Sequence, residues 1–195
     1  MRLSYLIACF GISIFACLFA FPIAAHAQVI INEVMADPAA ASDKSEWIEL
    51  FNFSDTVVDL RGWSLDGKLI TSTQPVNIPA NGYFIFTKTL ADFTTEFGSL
   101  PDVFELGISL TNTGKTVALT DGKGYTESAT YASASPSVSW ERKGPLCNDF
   151  VKHPSAHSLN APNVGISSQC YPQILSIDKI EFSTDGITWS ESVSD

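Results

Sequence analysis

The amino-acid sequence predicts an all-β domain, a sandwich or a barrel. Short strand-like runs recur along the chain, such as Val29–Met35 and the alternating segment Thr116–Leu119. Turn residues separate these runs, for example Asp66-Gly67 and Asp121-Gly122. Only Leu90–Phe97 has helical spacing, and it is long enough for one or two turns. Many short strands at close spacing with such turns are typical of a sandwich or a barrel.

Nine short segments are predicted as strands. They are Val29–Met35, Glu46–Asn52, Thr56–Leu60, Gly62–Leu65, Val76–Ile78, Tyr83–Phe86, Thr116–Leu119, Tyr125–Tyr131 and Val138–Arg142. In the second of these, Ile48 and Leu50 share one face, while Trp47 and Phe51 share the other. Because both faces carry apolar side chains, the second strand is predicted to be central and covered on both sides.

Residues 1–27 predict a cleavable signal peptide. Arg2 precedes an apolar run, Pro22 breaks that run, and Ala25-His26-Ala27 supplies the small-x-small pattern that a signal peptidase recognises. The alternative is a retained membrane anchor, because an apolar run of roughly 20 residues spans a bilayer. The proline and the Ala-x-Ala pattern favour cleavage before Gln28. We therefore expect a secreted, periplasmic or cell-surface protein with no stable membrane insertion after cleavage.

The charge of the chain argues against nucleic acid as a partner. The formal net charge is −10, and removal of residues 1–27, whose single charged residue is Arg2, leaves −11. A surface this acidic repels phosphate backbones. It favours solubility and attracts divalent cations or basic surfaces.

Two cysteines, Cys147 and Cys170, remain after signal cleavage. An even pair in an exported chain predicts one disulfide, worth roughly 3 kcal/mol on the chain-entropy model. The alternative is a zinc site in which His153 and His157 complete the ligand set. The spacing of these four residues is not a familiar zinc pattern, and an oxidising compartment favours the disulfide.

The pattern changes from Lys143 onward. The stretch up to Gly165 is irregular and predicts a tail that is laid over the sandwich and pinned by the disulfide. We expect one β domain over residues 28–165. Residues 166–195 then form a linker and a β-hairpin, interpreted as the start of a second module or as a truncated coding sequence.

Several motifs, in order along the chain, resemble the lamin-tail domain family. The matching segments are Val29–Val34, Glu46–Asn52, Val58–Leu65, Ile78–Ile85, Leu110–Asp121, Ser139–Arg142 and Ala161–Asn163. The chain departs from the family pattern at Phe51, where tyrosine is usual, and at Ser158-Leu159-Asn160, where a closing Pro-Gly is expected. The second departure puts the path of the tail in doubt.

The resemblance implies an immunoglobulin-like β-sandwich with no catalytic residues and no cofactor. Members in nuclear lamins bind proteins and chromatin, and exported bacterial members are thought to be accessory modules on secreted or surface proteins. The residues that carry the motifs are interpreted as structural; they are Asn32, Glu33, Trp47, Glu49, Asn52, Gly62, Trp63, Gly82, Arg142 and Asn163.

Physical reasons support the structural interpretation of these motif residues. Glu33 and Glu49 are charges in apolar strands, so burial requires donors such as turn N–H groups or Arg142. The tryptophans of the motifs offer apolar area, and each indole N–H needs a partner. Gly62 and Gly82 lie at turns that favour positive φ.

The loop after the first strand is acidic. Asp37, Asp43 and Glu46 offer oxygen ligands that suit calcium, but they lack the spacing of a known calcium loop. We favour a solvated acidic loop over a metal site.

The function expected from these features is an exported, non-catalytic binding, adhesion or tethering module. Its partner is an unknown protein or polysaccharide of the cell envelope or extracellular matrix. The alternative is a metal-assisted secreted hydrolase domain or its accessory module.

Overall fold

The computed structural model describes residues 29–39 and 44–170. The predicted signal peptide and the predicted C-terminal hairpin lie outside these residues, as does Asp43. None of the helices in the described ranges is long and apolar enough to cross a membrane.

The described chain contains twelve β-strands, one α-helix and one 3-10 turn. The strands are β1 Val29–Met35, β2 Trp47–Asn52, β3 Val58–Asp59, β4 Ser64–Leu65, β5 Lys68–Leu69, β6 Asn77–Ile78, β7 Tyr83–Thr87, β8 Val103–Glu105, β9 Lys115–Thr120, β10 Thr126–Tyr131, β11 Trp140–Arg142 and β12 Phe150–Lys152. Helix α1 covers Leu90–Phe97, and the 3-10 turn covers Ser168–Cys170.

Two sheets pack face to face, which confirms the predicted all-β sandwich. The larger sheet has six strands in the order β12-β11-β1-β2-β7-β8, and the smaller has four in the order β10-β9-β4-β5. Strands β3 and β6 form a separate pair. The main core lies between the two sheets, where Leu50 and Phe86 of the larger sheet pack with Val117 and Leu119 of the smaller.

A second, smaller core covers the opposite face of the larger sheet. Met35, Trp47 and Ile85 project from that face and pack against Phe93 of α1. Leu159 from the C-terminal part of the chain packs against the same cluster. Strand β2 is therefore central and buried on both faces, as its apolar pattern predicts.

Two strands of the larger sheet are not predicted by the sequence pattern. Strand β8 pairs in parallel with β7, and the chain between them forms α1. Strand β12 pairs with β11 inside the stretch that the sequence predicts to be irregular. Both strands have three residues, which is too short for alternation to be recognised.

Candidate functional site

Three glutamates lie side by side across the larger sheet. Glu33 of β1 stands opposite Glu49 of β2 and opposite Glu141 of β11. All three have 0% of their surface exposed. They share the face of Trp47, because side chains two residues apart on a strand point the same way. We call Glu33, Glu49 and Glu141 the glutamate cluster.

The glutamate cluster accepts hydrogen bonds from the backbone of the tail segment, which we define as residues 143–170. Ser158 N donates to Glu33 Oε1 at 2.8 Å. Asn160 N donates to Glu49 Oε2 at 2.5 Å. These two donors lie in turn backbone, which confirms one of the two kinds of donor that the sequence suggests for buried glutamates.

Glu141 contacts several residues of the tail segment. It accepts a very short hydrogen bond from the Ser158 hydroxyl and one from Gly165 N at 3.2 Å. His153 Nε2 lies 3.9 Å from Glu141 Oε1. A side chain at position 165 would obstruct this approach, since an added Cβ would lie 2.6 Å from Val151 Cγ2.

Two asparagines complete the network around the glutamate cluster. Asn32 Nδ2 donates to Glu49 Oε1 at 2.9 Å and to Asn163 Oδ1 at 3.0 Å. Asn163 Nδ2 in turn donates to Arg142 O at 2.7 Å and to Asn32 Oδ1 at 3.1 Å. Asn163 therefore joins the tail segment to both β1 and β11.

Burial shifts the titration of two of these glutamates, Glu33 and Glu49. It raises the pKa of Glu33 to about 7, with the nearby Glu141 charge adding to the shift. It raises the pKa of Glu49 to about 8, and the charge of Glu33 is the next largest cause. Hydrogen bonds from the tail segment oppose both shifts by stabilising the charged forms. Neutral carboxyl groups are therefore populated near pH 7 in the folded protein.

One oxygen of Glu33 stands out among these contacts. The Ser139 side chain favours the charged form of Glu33, but its hydroxyl donates to Ala156 O at 3.3 Å. Glu33 Oε2 has no hydrogen-bond partner within the described part of the chain. A neutral carboxyl pays a smaller penalty than a carboxylate for such an unpaired oxygen, which agrees with the raised pKa.

The suggestion that Arg142 pairs with Glu33 or Glu49 is wrong. Arg142 follows Glu141 directly on β11, so its side chain points to the opposite face, between the two sheets. There its guanidinium makes a very short ion pair with Glu127 of β10. Because neighbouring side chains on a strand point to opposite faces, Arg142 cannot reach the glutamate cluster to which Glu141 belongs.

Arg142 also binds backbone carbonyls of β1 and of the tail segment. Its Nε donates to Ile31 O at 2.7 Å, and its Nη1 donates to Cys147 O at 2.6 Å. Its guanidinium carbon lies 5.0 Å from the ring centre of Phe150. One buried cation therefore links β1, β10 and the tail segment.

The structure contains the predicted disulfide between Cys147 and Cys170, 23 positions apart. Both sulfur atoms are used in this bond, so the thiolate ligands of the alternative zinc site are absent. The backbone donors to the glutamate cluster all lie between the two cysteines. The disulfide therefore closes the same loop that the glutamate cluster fastens to the sheet.

The motif tryptophans occupy two different cores. Trp63 lies in the main core with 6% of its surface exposed, and its ring centre is 5.9 Å from that of Tyr125. Trp47 lies in the smaller core, edge-on to Phe97 and to His157. The expectation that each indole N–H has a partner fails for Trp47, whose Nε1 makes no hydrogen bond to any described residue.

The motif glycines and Asn52 shape turns. Gly62 has a positive φ of 82°, as predicted. The prediction for Gly82 is wrong, because the positive φ of that turn belongs to Asn81, at 52°. Gly82 is instead required by close packing, since an added Cβ would lie 2.9 Å from Pro79 Cβ.

Asn52 joins two loops at the end of β2. Its side-chain nitrogen donates to Thr56 O at 2.7 Å and to Pro79 O at 2.9 Å. Its side-chain oxygen accepts from the Ser54 hydroxyl at 2.7 Å. These bonds support the structural interpretation of Asn52.

The acidic residues after β1 differ in burial and in their contacts. Glu46 is buried, with 2% of its surface exposed. Its Oε2 accepts from Leu110 N at 3.1 Å and lies 3.3 Å from Lys88 Nζ. Asp37 is partly exposed. Within residues 29–39 and 44–170, no three His, Cys, Asp or Glu side chains are grouped so as to hold a metal ion.

A cleft of about 250 Å³ lies beside α1 and the tail segment. Its polar wall includes Glu96, which accepts from Ala39 N at 2.7 Å and from the Ser45 hydroxyl. Burial lowers the pKa of His157, which lines the same cleft, and the nearby His153 lowers it further. Glu96 is thus engaged in holding the loop after β1.

Three important residues were missed by the sequence reasoning. Glu141 stands inside the motif Ser139–Arg142, where attention fell on the arginine. Ser158 and Asn160 form the segment that departs from the family's closing Pro-Gly. Backbone N–H donors leave no mark in a sequence, so the departure itself was the available signal.

Comparison with known proteins gives one match. The family model of the lamin tail domain matches residues 22–134. No curated protein matches the chain, and no solved structure matches it. The match ends before β11, so Glu141, Arg142 and the tail segment lie beyond it.

Proposed function

Because the chain belongs to the lamin tail domain family, we propose that it acts as an exported binding module that tethers its protein to a component of the cell envelope or extracellular matrix. Domains of this family are non-catalytic immunoglobulin-like sandwiches. The export step rests on the signal peptide that residues 1–27 predict.

The proposal depends most on one observation, which is that the glutamate cluster binds the backbone of the tail segment. Buried carboxyls with raised pKa values, such as those of Glu33 and Glu49, are concentrated at catalytic sites. Here the tail segment covers the carboxyls and donates its backbone N–H groups to them. The cluster thereby acts as an anchor for the tail segment, which supports a structural use of these acids.

The outer surface of the anchored tail segment is a candidate contact surface. Leu146, Val164 and Ile166 are 58%, 56% and 53% exposed. The two stretches of the tail segment that carry these residues run side by side. Leu146 N donates to Cys170 O at 2.9 Å, and Ser167 N donates to Lys143 O at 2.9 Å. Exposed apolar side chains on a rigid support favour contact with a protein or with the faces of sugar rings.

Sedimentation with insoluble polymers tests this proposal. The chain without residues 1–27 is mixed with peptidoglycan, cellulose or chitin particles, or with immobilised collagen, and the free protein is measured. We expect saturable binding to one of these probes. Replacement of Leu146 and Ile166 by serine should abolish the binding without loss of folding.

Matched controls come from exposed apolar residues outside the tail segment. Val57 and Leu69 are 60% and 57% exposed, so serine replacements there remove similar apolar area. These variants should bind like the unmodified chain. Binding lost equally in both pairs of variants would refute the contact surface, and binding to none of the probes would refute tethering by this domain. Stoichiometric metal in the purified protein would favour the metal-assisted hydrolase.

A further inference from the structure

Strand β10 is the longest strand at a sheet edge in the described chain. It has six residues, whereas the other edge strands, β3, β5, β6, β8 and β12, have two or three. Short edges and edge lysines such as Lys152 of β12 are common protections against strand pairing. Strand β10 carries neither lysine nor proline, and its pairing with β9 runs without a bulge.

Three residues of β10 direct their backbone groups to the open side. Asp121 N donates to Tyr125 O at 3.3 Å, which places the odd-numbered residues of β10 in hydrogen-bonded pairs with β9. Ala118 O, opposite Ser128, accepts from Asp66 N on the far side of β9 at 2.7 Å. Because backbone direction alternates along a strand, the N–H and C=O groups of Thr126, Ser128 and Thr130 point away from the sheet.

The side chains along this edge are uncharged on the outer face. Thr126, Ser128 and Thr130 are all exposed, and the Thr130 hydroxyl lies 2.8 Å from that of Thr116 on β9. The acid of β10, Glu127, points inward and is paired with Arg142. The edge is therefore neutral, although the chain as a whole is strongly acidic.

We propose that two copies of the chain pair through β10, antiparallel and centred on Ser128, so that their four-stranded sheets join into one sheet of eight strands. Ser128 then faces Ser128 of the second copy, and Thr126 faces Thr130. Such an isologous contact closes as a dimer. It also adds cross-strand hydroxyl pairs, which stabilise sheets.

Charge disfavours the neighbouring register that is centred on Glu127. A shift that places Glu127 opposite Glu127 of the second copy brings two like charges together, which destabilises a sheet. In the register centred on Ser128, Glu127 faces Ala129, a small buried residue. The Ser128 N–H, which lies near enough to the Glu127 carboxyl to favour its charged form, gains a backbone acceptor.

Sedimentation equilibrium of the oxidised chain without residues 1–27 measures the assembly. We expect a monomer–dimer equilibrium that strengthens with added salt, since two acidic copies repel each other and salt screens that repulsion. A monomer at every concentration and salt level would overturn the proposal.

Lysine substitutions distinguish pairing through the edge of β10 from association through the exposed face of the smaller sheet. Ser128→Lys places two like charges at the centre of the pairing and should abolish the dimer. Ala118→Lys places the same charge on the neighbouring inner strand, on the same exposed face, and should leave the dimer intact. Both variants should keep the Tm of the monomer. Equal loss of the dimer in both variants would contradict pairing through the edge.

Cysteine substitutions test the register. Ser128→Cys brings two thiols to about 5.5 Å between Cα atoms, so a short thiol cross-linker should join two copies. Thr126→Cys places its thiols about 14 Å apart along the strand and should remain uncross-linked. Efficient cross-linking through position 126 instead would exclude the proposed register.

Discussion

The sandwich and the tail segment are held by different forces. The sandwich, up to Arg142, buries alternating apolar side chains in two cores. The tail segment contributes few apolar residues to these cores. It is fastened by hydrogen bonds to buried carboxyls and by the Arg142 side chain, and the disulfide closes its loop. Directional polar contacts thus fix a segment that hydrophobic burial alone would leave loose.

The two regions also differ in their relation to the family. The family match covers residues 22–134 and ends before the tail segment. Yet two of the three glutamates, Glu33 and Glu49, belong to the matched sandwich. The sandwich therefore carries acceptors whose donors lie beyond the match, which makes the tail segment a completing part of the domain.

The largest expected effect comes from removing the cation that joins the two regions. Arg142→Ala leaves the partly buried Glu127 without its ion-pair partner and removes a donor from the carbonyls of Ile31 and Cys147. Removal of one partner of a buried pair costs roughly 3–5 kcal/mol. Urea unfolding should show that loss. Arg61→Ala is the control, since Arg61 forms an exposed pair with Asp59 and should leave the transition unchanged.

Replacing both cysteines by serine should loosen the tail segment more than the sandwich. A disulfide that closes a loop of this size stabilises the fold by roughly 3 kcal/mol. We expect backbone amides of β12 and of Ser158 to exchange with solvent much faster, while those of β9 and β10 change little. Uniformly faster exchange throughout the sandwich would show instead that the tail segment and sandwich unfold as one unit.

The glutamate cluster predicts that stability falls as pH rises. The pKa values of Glu33 and Glu49 are raised from 4.5 to about 7 and about 8 in the folded state. The folded protein therefore holds protons that the unfolded chain releases, and stability declines from about pH 4.5 to pH 8 by a few kcal/mol. Denaturant unfolding across this range measures the decline.

The control for the pH dependence replaces both glutamates by glutamine. This double variant should show a much flatter profile between pH 5 and 8. Asp59 and Asp121 have lowered pKa values because of the Arg61 and Lys123 contacts, so their contributions are lost only below about pH 4. A profile that still falls steeply in the double variant would assign the effect to other groups.

The smallest expected effect concerns the sandwich alone. Gly62→Ala places a side chain at a positive φ of 82°, which costs roughly 1 kcal/mol. No atom lies within 4 Å of the added Cβ, so strain is the only penalty. Thermal unfolding should show a modest drop in Tm, and Gly62→Asn should show less. A drop as large as that of Arg142→Ala would contradict this account.

The sandwich could be read from the sequence because alternation is a local signal. Strands β1, β2, β9 and β10 and helix α1 all agree closely with their predicted ranges. The pairing of Cys147 with Cys170 follows from counting the cysteines that remain after the predicted signal peptide is removed.

The glutamate cluster could be anticipated only in part. The apolar setting of Glu33 and Glu49 indicates that burial needs donors, but Ser158 N lies 125 positions from Glu33. Because the donors are backbone groups, no side chain identifies them. The wrong assignment of Arg142 has the same origin, since the face on which an arginine points depends on a register that sequence alone leaves open.

The position of the donors at the end of the chain has a consequence for synthesis. Glu33 and Glu49 leave the ribosome more than one hundred residues before Ser158 and Asn160. The strands of the sandwich are therefore already synthesised while Glu33 and Glu49 still lack these backbone donors and must stay hydrated. The tail segment can cover the glutamate cluster only after Gly165, the last of its donors, has emerged. This domain therefore finishes folding after its strands have been synthesised and not during their synthesis.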